Sequence, residues 1–149
     1  MIQRIQTIYL FVVALLLAVA MAMPVGHFYT QTHVAALSNL TVTAADGTVN
    51  YVSWPLFALL LIAAALSFIA IFLYKKRMVQ IRLAVISNLV LVGYYIVAGV
   101  LAYSVLSAYG SFTPSGAICL PVISIILNWL AIRGIQKDEK LVRSYNTIR

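Results

Sequence analysis

The sequence predicts an all-α membrane protein, a bundle of four transmembrane helices with a small β-hairpin in its first outer loop. Of its 149 residues 64% are hydrophobic and only 9% are charged, whereas soluble domains carry about 25% charged residues. Four uncharged apolar segments each approach the ~20 residues that a helix needs to cross the hydrocarbon layer. The Lys and Arg residues cluster at the ends of these segments, as in membrane proteins. The chain is short enough to form a single integral membrane domain, residues 1–149.

The four apolar segments are predicted to be membrane-spanning helices, because a backbone in lipid must satisfy its own polar groups. They cover about residues 5–23, 54–74, 83–106 and 114–132. The first segment contains Ala20-Met21-Ala22, the small-x-small pattern of a signal-peptidase site. However, its uncharged stretch is longer than the roughly 7–15 residues of a signal-peptide core, and the nearby Pro24 makes a poor cleavage site. We therefore expect a retained first span.

The positions of Lys and Arg predict the orientation of the spans. Lys75, Lys76, Arg77 and Arg82 lie between the second and third spans, and the tail 133–149 is basic too. The two outer loops hold neither Lys nor Arg. By the positive-inside rule the chain is multi-pass with both termini in the cytoplasm. A net charge of +7 confined to span ends lacks the basic face that nucleic-acid binding requires, so we expect no nucleic-acid partner.

The outer loop 24–53 contains the predicted hairpin. Its residues alternate between apolar and polar on both sides of Asp46-Gly47, which is a strong signal for a two-residue type I′ turn. This register places Val42 opposite Tyr51 on one apolar face. We expect that face to lie on the outer ends of the helices.

The spans contain no Asp, Glu, Lys, Arg or His, which argues against a proton-coupled transporter and an intramembrane hydrolase. We therefore expect a protein that is not an enzyme and has no cofactor, catalytic residue or metal site. His27, His33 and Asp46 share the outer loop and leave a metal-dependent membrane enzyme as a third hypothesis, although their spacing is not diagnostic. The single Cys119 excludes an intrachain disulfide.

Polar and small residues within the spans are candidates for helix–helix contacts. Asn88 and Asn128 form a candidate interhelical polar pair between the third and fourth spans. Alternatively, together with Tyr94 and Tyr95, they line a path for a substrate. A candidate helix-packing stripe of small residues at four-residue spacing consists of Ala14, Ala18 and Ala22.

The basic tail is the candidate contact surface for a partner or for lipid. If the fourth helix continues into it, Arg133, Lys137 and Lys140 share one side and are joined by Arg143. A helix end of this kind contacts anionic lipid or docks a partner protein.

Both ends of the chain resemble one protein family. MIQRIQTIYL at residues 1–10 and QKDEKLVRS at residues 136–144 are similar to an uncharacterised Bacteroidota family of small four-span integral membrane proteins, a domain of unknown function. Length and span number agree over essentially the whole chain. The resemblance implies the inner (cytoplasmic) membrane of a Gram-negative bacterium and the same topology, but no active site.

Together these observations predict a non-enzymatic inner-membrane accessory or scaffold subunit. Its expected partners are the lipid bilayer and another integral membrane protein or complex. Self-association into a homo-oligomer is a further alternative. The alternative is a small carrier or channel for a neutral or lipid-like substrate. That alternative predicts a polar cavity between the third and fourth spans, and a dry, tightly packed interface there would count against it.

Overall fold

The fold is a bundle of four long helices with a small antiparallel sheet at one end. The computed structural model describes residues 3–29, 34–44, 46–109 and 111–147. Within them all four helices are long and apolar enough to cross a membrane, which confirms the four predicted apolar helices. The helices are α1 (Gln3–Ala22), α2 (Trp54–Phe72), α3 (Arg77–Tyr109) and α4 (Cys119–Thr147).

The helices pack in a ring in which α1 contacts α2 and α4, and α3 contacts the same two helices. The helix α4 does not end at the apolar boundary near Ile132 but continues through the basic tail to Thr147. The helix α4 contains no proline after Pro121 that would end it. Its one glycine, Gly134, is tolerated within a helix at a cost of about 1 kcal/mol. The tail is therefore a direct extension of the bundle.

Each helix buries a narrow stripe and leaves large apolar side chains outside. On α1 the fully buried residues include Leu10, Val13 and Leu17, which recur at helical spacing. The predicted stripe of alanines lies off this face: Ala14 is half-buried, and Ala18 and Ala22 are exposed. The reason is rotational: α1 turns Leu10, Val13 and Leu17 toward the bundle interior, which leaves Ala18 and Ala22 on the outer side of the helix and Ala14 at the edge of the packed face. In contrast, α2 and α3 approach each other through small buried residues, as helices in lipid commonly do; these are Ala63, Ser67, Ala70, Ala84 and Ser87.

Among the described residues the sheet has five strands, and it joins the two loops at one end of the bundle. The strands are β1 (Pro24–Tyr29), β2 (Val34–Ser38), β3 (Val42–Thr43), β4 (Val49–Asn50) and β5 (Ser111–Pro114), arranged in the order β4-β3-β2-β1-β5. All neighbouring strands are antiparallel. The predicted hairpin is thus only one edge of a larger sheet, because β1 and β2 precede it and β5 arrives from the loop before α4.

The hairpin register differs by one residue from the predicted one. Val42 pairs with Asn50 rather than with Tyr51, and Gly47 is the only described residue with positive φ, at 83°. The predicted type I′ turn, which requires positive φ at both central residues, is therefore wrong. A shift of one residue reverses the two faces of a strand, so Tyr51 is exposed while Val42 is buried.

A longer loop explains the changed register. The amide of Gly47 donates to the Ala44 carbonyl and the amide of Ala44 donates to the Thr48 carbonyl, each at 3.0 Å. The Asp46 carboxylate accepts from the backbone amide and the hydroxyl of Thr48, at 3.1 and 2.7 Å. This arrangement matches a three-residue hairpin loop whose last residue is a left-handed glycine.

Asn39 fixes the sheet to the helices. Its side chain, 1% exposed, donates to the carbonyls of Ala20 and Met23 at 2.7 and 3.2 Å and so satisfies carbonyls at the end of α1. Its Oδ1 accepts a hydrogen bond from the Tyr94 hydroxyl of α3 at 2.9 Å. Its backbone carbonyl accepts from the Phe57 amide of α2 at 3.1 Å. One residue therefore joins three helices below the sheet.

Candidate functional site

A basic groove lies at the end of the bundle opposite the sheet, where the last turns of α4 lie beside the start of α3. It consists of two adjoining cavities of about 430 Å³ and 390 Å³, which share Met78, Glu139 and Arg143. We call the two cavities together the basic groove. The remaining lining residues are Lys75, Lys76, Arg77, Val79, Ile81, Arg82, Gln136, Lys140 and Val142.

Local backbone structure brings the two basic segments to one place. After α2 the chain turns, and the turn is closed by a hydrogen bond from the Lys76 amide to the Leu73 carbonyl at 2.9 Å. The Lys76 carbonyl then accepts from the amides of Val79 and Gln80 at 3.0 and 3.1 Å, which starts α3. On α4, the lining positions 136, 139, 140 and 143 recur three and four residues apart and so share one helix face.

The groove is strongly electropositive. Six basic side chains line it, and Glu139 is the only carboxylate among the lining residues that the structure describes. The Glu139 Oε1 lies 3.1 Å from Nη2 of Arg143, so this single negative charge is already paired within α4. The first turn of α3 carries no acidic residue, although acidic residues are favoured at the positive end of a helix dipole. The groove therefore attracts an anionic group.

The groove also has apolar walls. Val79 and Ile81 are half-buried, and Met78 and Val142 are exposed at about half of their surface. Both cavities are lined by basic and apolar side chains together. The arrangement suits a ligand with a negative charge and an apolar part.

The predicted tail residues separate into two groups. Lys140 and Arg143 line the groove. Arg133 instead lies over the Trp129 ring, with its guanidinium carbon 3.8 Å from the ring centroid. Lys137 is exposed and does not line either cavity.

Sequence reasoning used the basic residues of the 75–82 segment only to orient the chain and missed their part in the groove. A signal for it was present, because the positive-inside rule places the 75–82 segment and the basic tail on the same side of the membrane. Charge position alone gives the side but not the distance between two segments.

The predicted polar pair has a different partner in the structure. Asn128 is fully buried, and its Nδ2 donates to the Ser87 Oγ at 3.3 Å. Ser87 Oγ also lies 3.2 Å from the Ser67 Oγ and 3.2 Å from the Ala63 carbonyl oxygen. Asn88 is the next residue after Ser87 and so is turned about 100° around α3. The expected Asn88–Asn128 hydrogen bond is thus replaced by an Asn128–Ser87 bond.

The outer-loop residues considered for a metal do not form a described cluster. His27 lies within β1 and Asp46 in the hairpin loop, where its carboxylate accepts from Thr48. His33 lies outside the described residues. Among the residues that are described, no three His, Cys, Asp or Glu side chains are close enough to hold a metal ion.

Comparison with known proteins gives one family match. A family model described as "Domain of unknown function (DUF4293)" matches residues 2–148. This match confirms that the resemblance to an uncharacterised family extends over nearly the whole chain. The search of curated proteins found no match.

Proposed function

We propose that this chain, which belongs to the DUF4293 family of domains of unknown function, is a non-enzymatic accessory or scaffold subunit that binds another membrane protein complex. The proposed location is the inner membrane of a Gram-negative bacterium of the Bacteroidota. In this proposal all four helices span the bilayer. Both termini and the basic groove are cytoplasmic, and the sheet is on the outer side.

The outer surface of the bundle supports a membrane location. Each of the four helices exposes large apolar side chains along its length, such as Phe11, Phe68, Ile96 and Ile126. In water such a surface would be far larger than the apolar patches of soluble monomers. In lipid the same surface carries no such free-energy cost of exposure, because hydrocarbon tails are as apolar as these side chains.

The observation that carries the proposal is the extension of α4 beyond its apolar segment, which ends near Ile132. Its 29 residues make a helix about 43 Å long, whereas the hydrocarbon core is about 30 Å thick. The last turns therefore protrude, and Leu141 and Tyr145 remain exposed there, Tyr145 at 76%. With Lys137 they recur every four residues, on a side of α4 away from the groove-lining positions. We call Lys137, Leu141 and Tyr145 the tail stripe.

The tail stripe fits a partner with complementary chemistry. A tyrosine and a leucine beside a lysine, exposed on one helix, resemble the aromatic and apolar anchors of protein interfaces. The tail is basic, and complementary charge guides association and orientation. The proposed partner segment is therefore a partly apolar, acidic cytoplasmic segment of another membrane protein.

A capture experiment tests the proposal. The affinity-tagged full chain is solubilised from native membranes in a mild detergent, and associated proteins are quantified by mass spectrometry. We expect a stoichiometric membrane-protein partner whose recovery falls at least about tenfold for Leu141→Ala with Tyr145→Ala, since interface anchors of this kind each contribute on the order of 1–2 kcal/mol or more. The matched control is Val122→Ala with Ile126→Ala, another exposed apolar pair four residues apart on α4, which should retain the partner.

Two outcomes would contradict the proposal: recovery of the chain alone, or equal recovery of the partner with both double variants. A solitary protein would favour the alternative of a small carrier or channel for a neutral or lipid-like substrate. That alternative has less structural support, because Asn128 is fully buried and bonded to Ser87. The Tyr94 hydroxyl is likewise engaged by Asn39.

A further inference from the structure

We propose that the basic groove is a binding site for the headgroup of an anionic phospholipid. The phosphate would lie between the start of α3 and the last turns of α4, and the first part of an acyl chain would lie on Met78 and Ile81. The inference rests on the proposed function only in that the helices span a bilayer. It does not depend on the tail stripe or on a protein partner.

The charge balance of the groove requires a counter-charge. Lys75, Lys76 and Arg77 are consecutive and stand at the N-terminal end of α3, where the helix dipole is positive and cations are unfavourable. Arg82 lies one helical turn or more along α3, and Lys140 lines the same cavity from α4. A phosphate diester accepts several hydrogen bonds from such donors and offsets their mutual repulsion.

The groove stands at the level where lipid headgroups would lie. The apolar surface of α2 ends at Phe72, and the exposed Tyr74 directly precedes Lys75. On α4, Trp129 with the stacked Arg133 marks the corresponding boundary. Tyr and Trp are enriched at membrane–water interfaces, so the groove begins one or two turns beyond this aromatic level, where phosphates of the inner leaflet are found.

The apolar lining favours a lipid over a free inorganic anion. Met78 and Ile81 line the larger cavity together with Arg82 and Lys140. Val79 and Val142 line the smaller one. An inorganic phosphate would leave these apolar walls in contact with water. A phospholipid covers them with its glycerol and upper acyl carbons while its phosphate meets the basic side chains.

Lipid binding to the purified full chain tests the inference. The chain is titrated in detergent micelles with phosphatidylglycerol or phosphatidylcholine, and bound lipid is counted by native mass spectrometry. We expect the first phosphatidylglycerol to bind roughly tenfold more tightly than phosphatidylcholine, since each basic side chain near an anionic lipid adds to the attraction. We expect Arg82→Gln with Lys140→Gln to remove most of this preference.

The control matches the loss of charge. Arg133→Gln with Lys137→Gln also removes two exposed basic side chains, but from positions outside the groove, and should leave the preference within about threefold of the unmodified chain. Equal binding of the two lipids by the unmodified chain would overturn the inference even if a variant failed to fold. An equal loss in the control, or full displacement of the lipid by millimolar inorganic phosphate, would also overturn it.

This experiment separates the inference from the proposed function. If the chain fractionates with membranes and retains its partner through the tail stripe but shows no lipid preference, only the groove inference fails. If the chain is absent from the membrane fraction, the proposed function fails with it.

Discussion

The hydrogen bonds of Asn39 give the sharpest prediction for the fold. Its buried side chain makes three hydrogen bonds: two to the Ala20 and Met23 carbonyls and one from the Tyr94 hydroxyl. Asn39→Ala removes all three at once. The two helix-end carbonyls and the tyrosine hydroxyl would then lie buried without partners.

The magnitude follows from these three bonds. A buried hydrogen bond contributes about 0.5–1.5 kcal/mol net, so Asn39→Ala should lower the free energy of unfolding by roughly 2–4 kcal/mol. Tyr94→Phe removes one of the three bonds and leaves the Asn39 Oδ1 unpaired, at a cost of about 1–3 kcal/mol. In the Asn39→Ala background the same Tyr94→Phe change should cost almost nothing, because the hydroxyl has already lost its acceptor.

The assay is a double-mutant cycle on the full chain in detergent, with unfolding followed by circular dichroism. We expect a coupling free energy of about 1–2 kcal/mol between the two residues, as for neighbouring hydrogen-bonded side chains. The control is Asn50→Ala, at an exposed asparagine whose side chain makes no capping hydrogen bond; it should change stability by less than about 0.5 kcal/mol. Additive effects of Asn39→Ala and Tyr94→Phe would refute the reasoning.

Two further substitutions test the sheet and the bundle interior. Gly26→Ala places a methyl group against the Phe112 ring and 2.9 Å from a backbone carbonyl oxygen of β5, so it should destabilise the fold by about 1–3 kcal/mol. The control is Gly116→Ala, whose added methyl group meets no atom within 4 Å and which should be nearly neutral. Equal shifts of the thermal unfolding midpoint in the two variants would contradict the β1–β5 pairing. Ser87→Ala should cost about 1–3 kcal/mol because it removes the acceptor of a buried asparagine. Ser124→Ala removes a buried hydroxyl that donates to the Leu120 carbonyl of its own helix and should cost less in the same unfolding assay. The reverse order would contradict the assigned network.

The basic residues of the groove both predict the orientation of the chain and form the candidate site. In the sequence, the basic residues near 75–82 and in the tail predict which ends of the spans are cytoplasmic. In the structure, the same residues line adjoining cavities between α3 and α4. The candidate site could therefore be predicted as a set of residue types and as a side of the membrane. It could not be predicted as a groove, since that requires knowing that α4 packs on the start of α3.

The sequence by itself determined the four helices, because helix formation in an apolar segment depends on local composition and length, both of which can be read along the chain. The local sequence did not predict the register of the hairpin. Asp46-Gly47 marks a turn, but the longer loop and the resulting register follow from pairing with β2 and from the Asp46–Thr48 hydrogen bonds. β5 lay outside any local prediction, since Ser111–Pro114 becomes a strand only through its pairing with β1.

Only the tertiary structure decided which side of each helix faces inward. Neighbouring positions on one helix, such as Ser87 and Asn88, look equally suited to hold Asn128 until α2 and α4 are in place. A rotation of one residue, about 100°, then selects the buried serine and turns the more polar asparagine away from the shared bond. Contacts between distant segments follow from the mutual orientation of helices, and no one-dimensional pattern in this chain contains that orientation.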